Sequence, residues 1–168
     1  MKPEALFING VFESVLEEIL RIQSVLPEQI LYLQPHSSRV MTKLREYSPT
    51  IEDPMQLFVS TTTDLVRVSY KAEIVGWDDK RKLPKRKRGI LNEIIAALQP
   101  GEGDLYNLSK IEGGESVNLL YIRRLKRIVA PFSVEQLEKT SDGEPLSTAR
   151  TTAGGWSYVK VKNSEWRA

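Results

Sequence analysis

The most concentrated chemical feature of the sequence is a run of cations at residues 80–88. Seven of the nine residues are basic: Lys80, Arg81, Lys82, Lys85, Arg86, Lys87 and Arg88. The chain has 24 basic and 22 acidic residues, so outside this run 17 basic residues face 22 acidic ones, a balance of −5. The positive charge is therefore local, and neighbouring cations that repel one another gain from a polyanion. We expect the run to bind nucleic-acid phosphates, which gives affinity without sequence selectivity.

Aromatic residues near this run could supply selectivity. Trp77 ends a predicted strand just before the cations, Trp156 and Tyr158 share one face of the last predicted strand, and Tyr32 ends an early strand. Rings of this kind can stack a base that has rotated out of a duplex. Trp and Tyr are also ordinary core residues, so each ring has a structural alternative. The sequence thus suggests a base pocket lined by these four residues.

Other interpretations of residues 80–88 stay open: a solvated loop, an import signal or a membrane-surface patch. A metal-dependent alternative also exists. Asp53, Asp78 and Lys80 loosely follow the separated acid, acid-x-lysine arrangement of many nucleases, in which carboxylates hold magnesium and a lysine orients a water. The simpler interpretation is that Asp78 and Asp79 begin a solvated turn that faces the cations.

The chain offers little for other chemistry. It has no cysteine, which excludes thiolate metal sites, a thiol nucleophile and a disulfide scaffold. The sole histidine, His36, leaves too few ligands for a typical zinc or iron site, and we interpret it as a residue of a loop or a helix start. We predict no cofactor, no metal and no catalytic residue. The chain lacks a secretory signal and a membrane-spanning run, so we expect a cytoplasmic protein with no membrane partner.

Hydrophobic periodicity predicts one α+β domain over residues 1–168. We expect strands at 5–8, 30–33, 55–60, 65–77, 117–129 and 156–161, and helices at 11–26, 40–47, 90–98 and 133–137. The alternation changes phase near Ala72, because Ile74 and Val75 are both apolar, which predicts a bulge. This order is typical of a small, strongly bent mixed sheet or barrel with flanking helices.

Three segments of this pattern, QLFVS at 56–60, VSYKAEIVGW at 68–77 and GGWSYV at 154–159, resemble the PUA-like superfamily. Within it they are most similar to EVE-type domains, including those of modification-dependent restriction systems. The resemblance covers residues 28–161 and leaves a β-α element at 1–27 outside. It implies a small bent barrel that recognises RNA or DNA, often by holding a modified base in an aromatic cage to which Trp77, Trp156 and Tyr158 would contribute. It also implies that cutting is done by a nuclease or NTPase partner.

The leading hypothesis is a noncatalytic nucleic-acid-binding domain that recognises a modified or flipped base, in DNA rather than RNA. It would serve as the specificity domain of a bacterial restriction or defence system. One alternative is a small magnesium-dependent nuclease that uses Asp53, Asp78 and Lys80. Another is an interaction module whose helix at 11–26 docks to a partner protein.

Overall fold

The computed structural model describes residues 3–34, 39–98, 118–149 and 155–162. Within these ranges the strands are β1 (Ala5–Val11), β2 (Leu31–Leu33), β3 (Met55–Thr61), β4 (Arg67–Asp79), β5 (Asn118–Ser133), β6 (Leu137–Lys139) and β7 (Gly155–Val161). The α-helices are α1 (Glu13–Val25), α2 (Arg39–Tyr47) and α3 (Lys85–Leu98). Single 3₁₀ turns at Lys80–Lys82 and Val134–Gln136 come just before α3 and β6. His36 lies outside the described residues.

All seven strands form one mixed sheet in the order β2-β5-β4-β3-β1-β7-β6. β1 pairs in parallel with β3, and the other pairings are antiparallel. The predicted α+β class is confirmed, but the described strands do not close into a barrel. The two edge strands, β2 and β6, have three residues each. They offer few backbone groups for the pairing that closure requires. Residues 1–27 supply β1, which is in the interior of the sheet between β3 and β7.

The two faces of the sheet bury separate cores because successive side chains of a strand point to opposite faces. In β1, Leu6 and Ile8 join the larger core, whereas Ala5 and Phe7 join the smaller one. Helix α1 covers the larger core with Leu16, Ile19 and Ile22, as its predicted amphipathic pattern requires. Its apolar face therefore packs on this chain's own sheet. No helix in the described ranges is long and apolar enough to span a membrane.

The predicted phase change in β4 is confirmed. The register between β4 and β5 shifts at three places, one of them between Ile74 and Gly76, and Ile74 and Val75 are both buried. β4 also continues beyond β3, whose pairing with it begins at Met55 opposite Ile74. Residues 77–79 therefore pair with β5 on one side, where Trp77 is opposite Leu120. On their other side they have no strand neighbour in the described part of the chain.

Two elements differ from expectation in ways that affect the basic run. α3 begins at Lys85, five residues before the apolar pattern starts at Ile90, so Lys85, Arg86, Lys87 and Arg88 form its first turn. Residues 80–82 form a 3₁₀ turn, and the apolar Leu83 that follows is buried in the larger core. The basic run is therefore a folded turn and helix start rather than an extended loop.

Candidate nucleic-acid interface

A cleft of about 380 Å³ opens where β4 extends past the end of β3. The end of α2, the end of β4 and the 3₁₀ turn line it: Leu44, Arg45, Ser48, Pro49, Gly76, Trp77, Asp78, Asp79 and Lys82. Small-molecule sites occupy roughly 300–1,000 Å³, so the cleft has room for one compact ligand. Aromatic, cationic and anionic side chains share its walls.

The end of α2 forms one wall because Ser48 terminates the helix sharply. Ser48 has φ 47°, its N–H donates to Leu44 O at 2.8 Å, and its Oγ donates to Arg45 O at 2.8 Å. Pro49 follows and cannot continue the helix. Leu44 is buried in the larger core, while Arg45 is exposed at the cleft.

Trp77 forms the opposite wall and is held at its edge. Its Nε1–H donates to Oδ1 of Asn118, 3.0 Å away, and Asn118 is 1% exposed. The ring is partly buried against the larger core. The Arg45 guanidinium lies 5.3 Å from the ring centroid, a cation–π distance. The polar edge of Trp77 is thus occupied, and Arg45 covers the ring from the cleft side.

Asp78 links the first turn of α3 to the sheet through hydrogen bonds. Its Oδ2 accepts a hydrogen bond from the Tyr121 hydroxyl at 2.8 Å and from Nζ of Lys87 at 2.5 Å. Lys87 Nζ also lies 5.4 Å from the Tyr121 ring centroid. Burial, followed by the bond to Asp78, raises the pKa of Tyr121. These contacts fix the first turn of α3 beside the cleft.

The Tyr121 ring also fits closely against the backbone of β4. A Cβ at Gly76 would lie 3.3 Å from Tyr121 Cδ2, which is tighter than ordinary van der Waals contact. The missing side chain at position 76 is therefore part of what lets Tyr121 reach Asp78.

A second carboxylate neutralises another cation of the run. Asp79 accepts hydrogen bonds from Arg81 Nε at 3.1 Å, Nη2 at 2.8 Å and backbone N at 2.9 Å. The bond to the Arg81 side chain is the main cause that holds the pKa of Asp79 below its usual range. Arg81 and Lys87 are therefore both paired with acids of β4.

Three exposed cations of the run have no acidic partner in the described part of the chain. Lys82, Lys85 and Arg86 are exposed, and no ion pair involves any of them in the described part of the chain. Arg88 is partly buried, and the side chain of Lys80 lies outside the described set. The predicted phosphate-binding run thus presents a smaller set of exposed cations that no ion pair engages, and Lys82 among them lines the cleft.

The four predicted pocket rings do not come together. Trp77 lies in the cleft, but Tyr32 is 1% exposed and belongs to the larger core. Trp156 and Tyr158 lie on β7, which is separated from β4 by β3 and β1. Three strand spacings of about 4.8 Å therefore intervene in the sheet.

The end of α2 stands between the two aromatic sites. Arg45 contacts Trp77, whereas Tyr47 meets Tyr158 edge-on, with ring centroids 5.3 Å apart and an interplanar angle of 81°. Burial, then the nearby Tyr47 and Glu46, raises the pKa of Tyr158. Tyr158 thus packs against the chain's own helix, and Trp77 is the one aromatic side chain among the described residues that line the cleft.

Two residues of the nuclease alternative, Asp53 and Asp78, make other contacts, and the side chain of Lys80 lies outside the described set. Asp78 is occupied by Tyr121 and Lys87, and Asp53 lies in the loop before β3, where its N–H donates to Thr50 Oγ1 at 3.0 Å. Among the described residues no group of three or more His, Cys, Asp or Glu side chains could hold a metal ion.

Three residues of the site were not predicted: Arg45, Asn118 and Tyr121. Arg45 and Tyr121 reach the cleft through tertiary packing, and Asn118 follows a segment without a clear pattern, so no local signal indicates them. Asp78 and Asp79 were expected to begin a solvated turn that faces the cations, whereas they end β4 and pair with Lys87 and Arg81. Comparison with protein-family models, curated proteins and solved structures found no match.

Proposed function

We propose that this chain is a noncatalytic nucleic-acid-binding domain that holds the backbone of DNA and admits a flipped or modified base beside Trp77. The observation that carries the proposal is the contact of Lys87 with Asp78 and Tyr121. It places a cationic helix start on the rim of a cleft that has an anchored tryptophan as its wall.

Phosphates are the ligands that the rim is best suited to hold. Lys82, Lys85 and Arg86 are exposed within residues 82–86, and the first turn of α3 contains no acidic residue. Cations at a helix N-terminus are opposed by the helix dipole, so this arrangement weakens the helix on its own. An anion bound there relieves both the mutual repulsion of the cations and the unfavourable dipole interaction.

A base is the ligand that the aromatic wall is best suited to hold. Base–aromatic stacking contributes about 1–3 kcal/mol, whereas an exposed cation–π contact contributes about 0.5–1 kcal/mol. The stacking contact of a base on the Trp77 ring is therefore stronger than the cation–π contact with Arg45 that it would replace. The cleft has one ring instead of a cage, so edge contacts to the base must come from its polar neighbours, such as Asp79 and Ser48.

The resemblance to PUA-like, EVE-type domains extends the proposal. An open mixed sheet with flanking helices is compatible with a small α+β nucleic-acid reader, and an aromatic strand end beside cations supports the same role. We accordingly propose a cytoplasmic specificity domain of a restriction system, with cleavage assigned to a nuclease or NTPase partner.

The phosphate contacts are tested by the double substitution Lys85→Ser/Arg86→Ser. Fluorescence anisotropy with labelled duplexes of several sequences, at a series of salt concentrations, measures affinity and its salt dependence. We expect weaker binding to every duplex and a log–log salt slope that is shallower by about two, since each lost phosphate contact removes roughly 0.9.

The matched control is Lys160→Ser/Lys162→Ser, which removes the same charge from exposed residues at the end of β7. It should change affinity and slope far less. Equal losses in both variants, or wild-type binding that is insensitive to salt, would contradict the proposal.

A further inference from the structure

We infer that Arg45 determines the specificity of the cleft by selecting nucleotides that carry a phosphate. Arg45 leaves the Trp77 ring when a base stacks there and binds the phosphate of that same nucleotide. This inference rests on the proposed function and assigns the ligand class of its cleft.

Trp77 is held by the protein on its core side and at its polar edge. The ring packs against the larger core, and its Nε1–H is engaged by Asn118. Arg45 lines the same cleft and lies over the ring, with its guanidinium 5.3 Å from the ring centroid. A base that enters the cleft therefore competes with Arg45 for the same surface of the ring.

The Arg45 side chain can leave the Trp77 ring at little cost. Its side chain is exposed on the last turn of α2. Among the described residues its guanidinium makes no hydrogen bond or ion pair. It makes a cation–π contact with the Trp77 ring. Displacement thus breaks one cation–π contact and leaves the helix end, which Ser48 closes through backbone atoms, unchanged.

The charges of the cleft favour an anionic ligand. The acidic residues of the cleft, Asp78 and Asp79, are already paired with Lys87 and Arg81. Lys82 lines the cleft as a second exposed cation. A phosphate at the cleft mouth therefore meets Arg45 and Lys82 rather than uncompensated carboxylates. A neutral nucleoside displaces Arg45 without offering it a new partner, whereas a nucleotide provides one.

The test compares each of the four deoxynucleosides, and 5-methyldeoxycytidine, with its 5′-monophosphate by calorimetric titration of the whole chain. For wild type we expect at least one base to bind as the monophosphate about tenfold more tightly than as the nucleoside, the effect of one charged hydrogen bond. In Arg45→Ala we expect that ratio to fall severalfold, with Lys82 supplying what remains, because the nucleoside binds more tightly and the monophosphate more weakly. Arg45→Lys should restore part of the preference.

The control is Lys85→Ser/Arg86→Ser, which should weaken duplex binding but keep the monophosphate preference. If wild type and Arg45→Ala show the same ratio, or no nucleotide binds while duplex binding stays salt-dependent, the role of Arg45 is overturned and the proposed function stands. If duplex binding itself is absent or insensitive to salt, the proposed function fails. Circular dichroism of each variant confirms that it is folded.

Discussion

At the scale of single residues, Asp78 determines where the cations of α3 lie. It accepts hydrogen bonds from Tyr121, which is partly buried and packs against Gly76, and from Lys87 on the first turn of the helix. One carboxylate thus joins the end of the sheet to the basic helix. The same contact withdraws Lys87 from any phosphate.

Replacing Asp78 by Asn should therefore strengthen DNA binding. The Asn amide oxygen can still accept from the Tyr121 hydroxyl, whereas the ion pair with the half-exposed Lys87 is lost. Because exposed ion pairs contribute at most about 1 kcal/mol, we expect little change in the free energy of unfolding. The freed Lys87 should steepen the log–log salt slope by up to about one, measured by anisotropy with a duplex.

A matched control for this substitution is Asp64→Asn. It makes the same charge change in an exposed ion pair with Arg67, outside the cleft. Its effect on affinity should be small because neither Asp64 nor Arg67 lines the cleft and salt screens exposed charges. Weaker binding in Asp78→Asn, or the loss of a magnesium-dependent cleavage activity, would instead favour the nuclease alternative.

The sequence predicted those parts of the site that depend on neighbours in the chain. Trp77 and the cations follow one another directly, so their proximity needed no knowledge of the fold. The grouping of Trp77 with Trp156 and Tyr158 depended on strand order, which local periodicity does not encode. Arg45 reaches Trp77 because α2 fills the space beyond the end of β3, and that too is a tertiary property.

At the scale of elements, helices and strands with a strong period were predicted to within a few residues. α1 and β3 are examples, and the phase change in β4 indicated a real shift of register. The start of α3 was missed because its first turn is cationic and carries no apolar period. β6 was missed because three residues, Leu137–Lys139, are too few to show one.

Helix α1 is joined to the sheet by a polar link that should respond to pH. The Tyr70 hydroxyl of β4 donates to Glu17 of α1 at 2.8 Å, and Glu17 also pairs with Arg127 of β5. Burial, followed by the bond to Glu17, raises the pKa of Tyr70 to about 12. Ionisation would place a second negative charge against Glu17, so the folded state favours neutral Tyr70.

The sign of the effect follows from linkage. The pKa of tyrosine in an unfolded chain is about 10, so the stabilisation from neutral Tyr70 is complete below pH 10 and is lost as pH rises towards 12. Tyr70→Phe should lower stability at pH 7 by about 1 kcal/mol, the net value of a hydrogen bond. It should then lose less stability than wild type between pH 10 and 12.

Urea unfolding of both proteins at pH 7, 10, 11 and 12 measures this difference. Tyr121 and Tyr158, whose pKa values are also raised, contribute equally to wild type and Tyr70→Phe and therefore cancel in the comparison. Parallel loss of stability in the two proteins over that range would show that Tyr70 is not the titrating link.

At the scale of the whole molecule, positive charge is concentrated at one end of an open sheet. The net charge is +2, although the residues outside 80–88 carry an excess of acids. A polyanion is thus attracted to the end where β4 meets α3 and repelled on average elsewhere. Under the proposed function, this orientation would bring a duplex to the cleft, where a base would have a separate set of contacts.

The separation of these two sets of contacts predicts how selectivity depends on salt. Phosphate contacts release counterions and weaken with salt, whereas stacking on Trp77 releases none. For duplexes with and without a modified base, affinity should therefore fall in parallel as salt rises, with a constant ratio between them. Anisotropy titrations at three or more salt concentrations give a line of log affinity against log salt concentration for each of the two duplexes.

Trp77→Ala should make the affinities for the modified and unmodified duplexes equal without changing the salt slope of either. The substitution removes the stacking wall and leaves the cations in place. Trp156→Ala is the matched control: it removes the same ring from β7, three strand spacings away, and should leave the ratio intact. A ratio that collapses in Trp156→Ala but persists in Trp77→Ala would move the base site to β7. A ratio that changes with salt would mean that the modified base is recognised through the phosphates, since only those contacts exchange counterions.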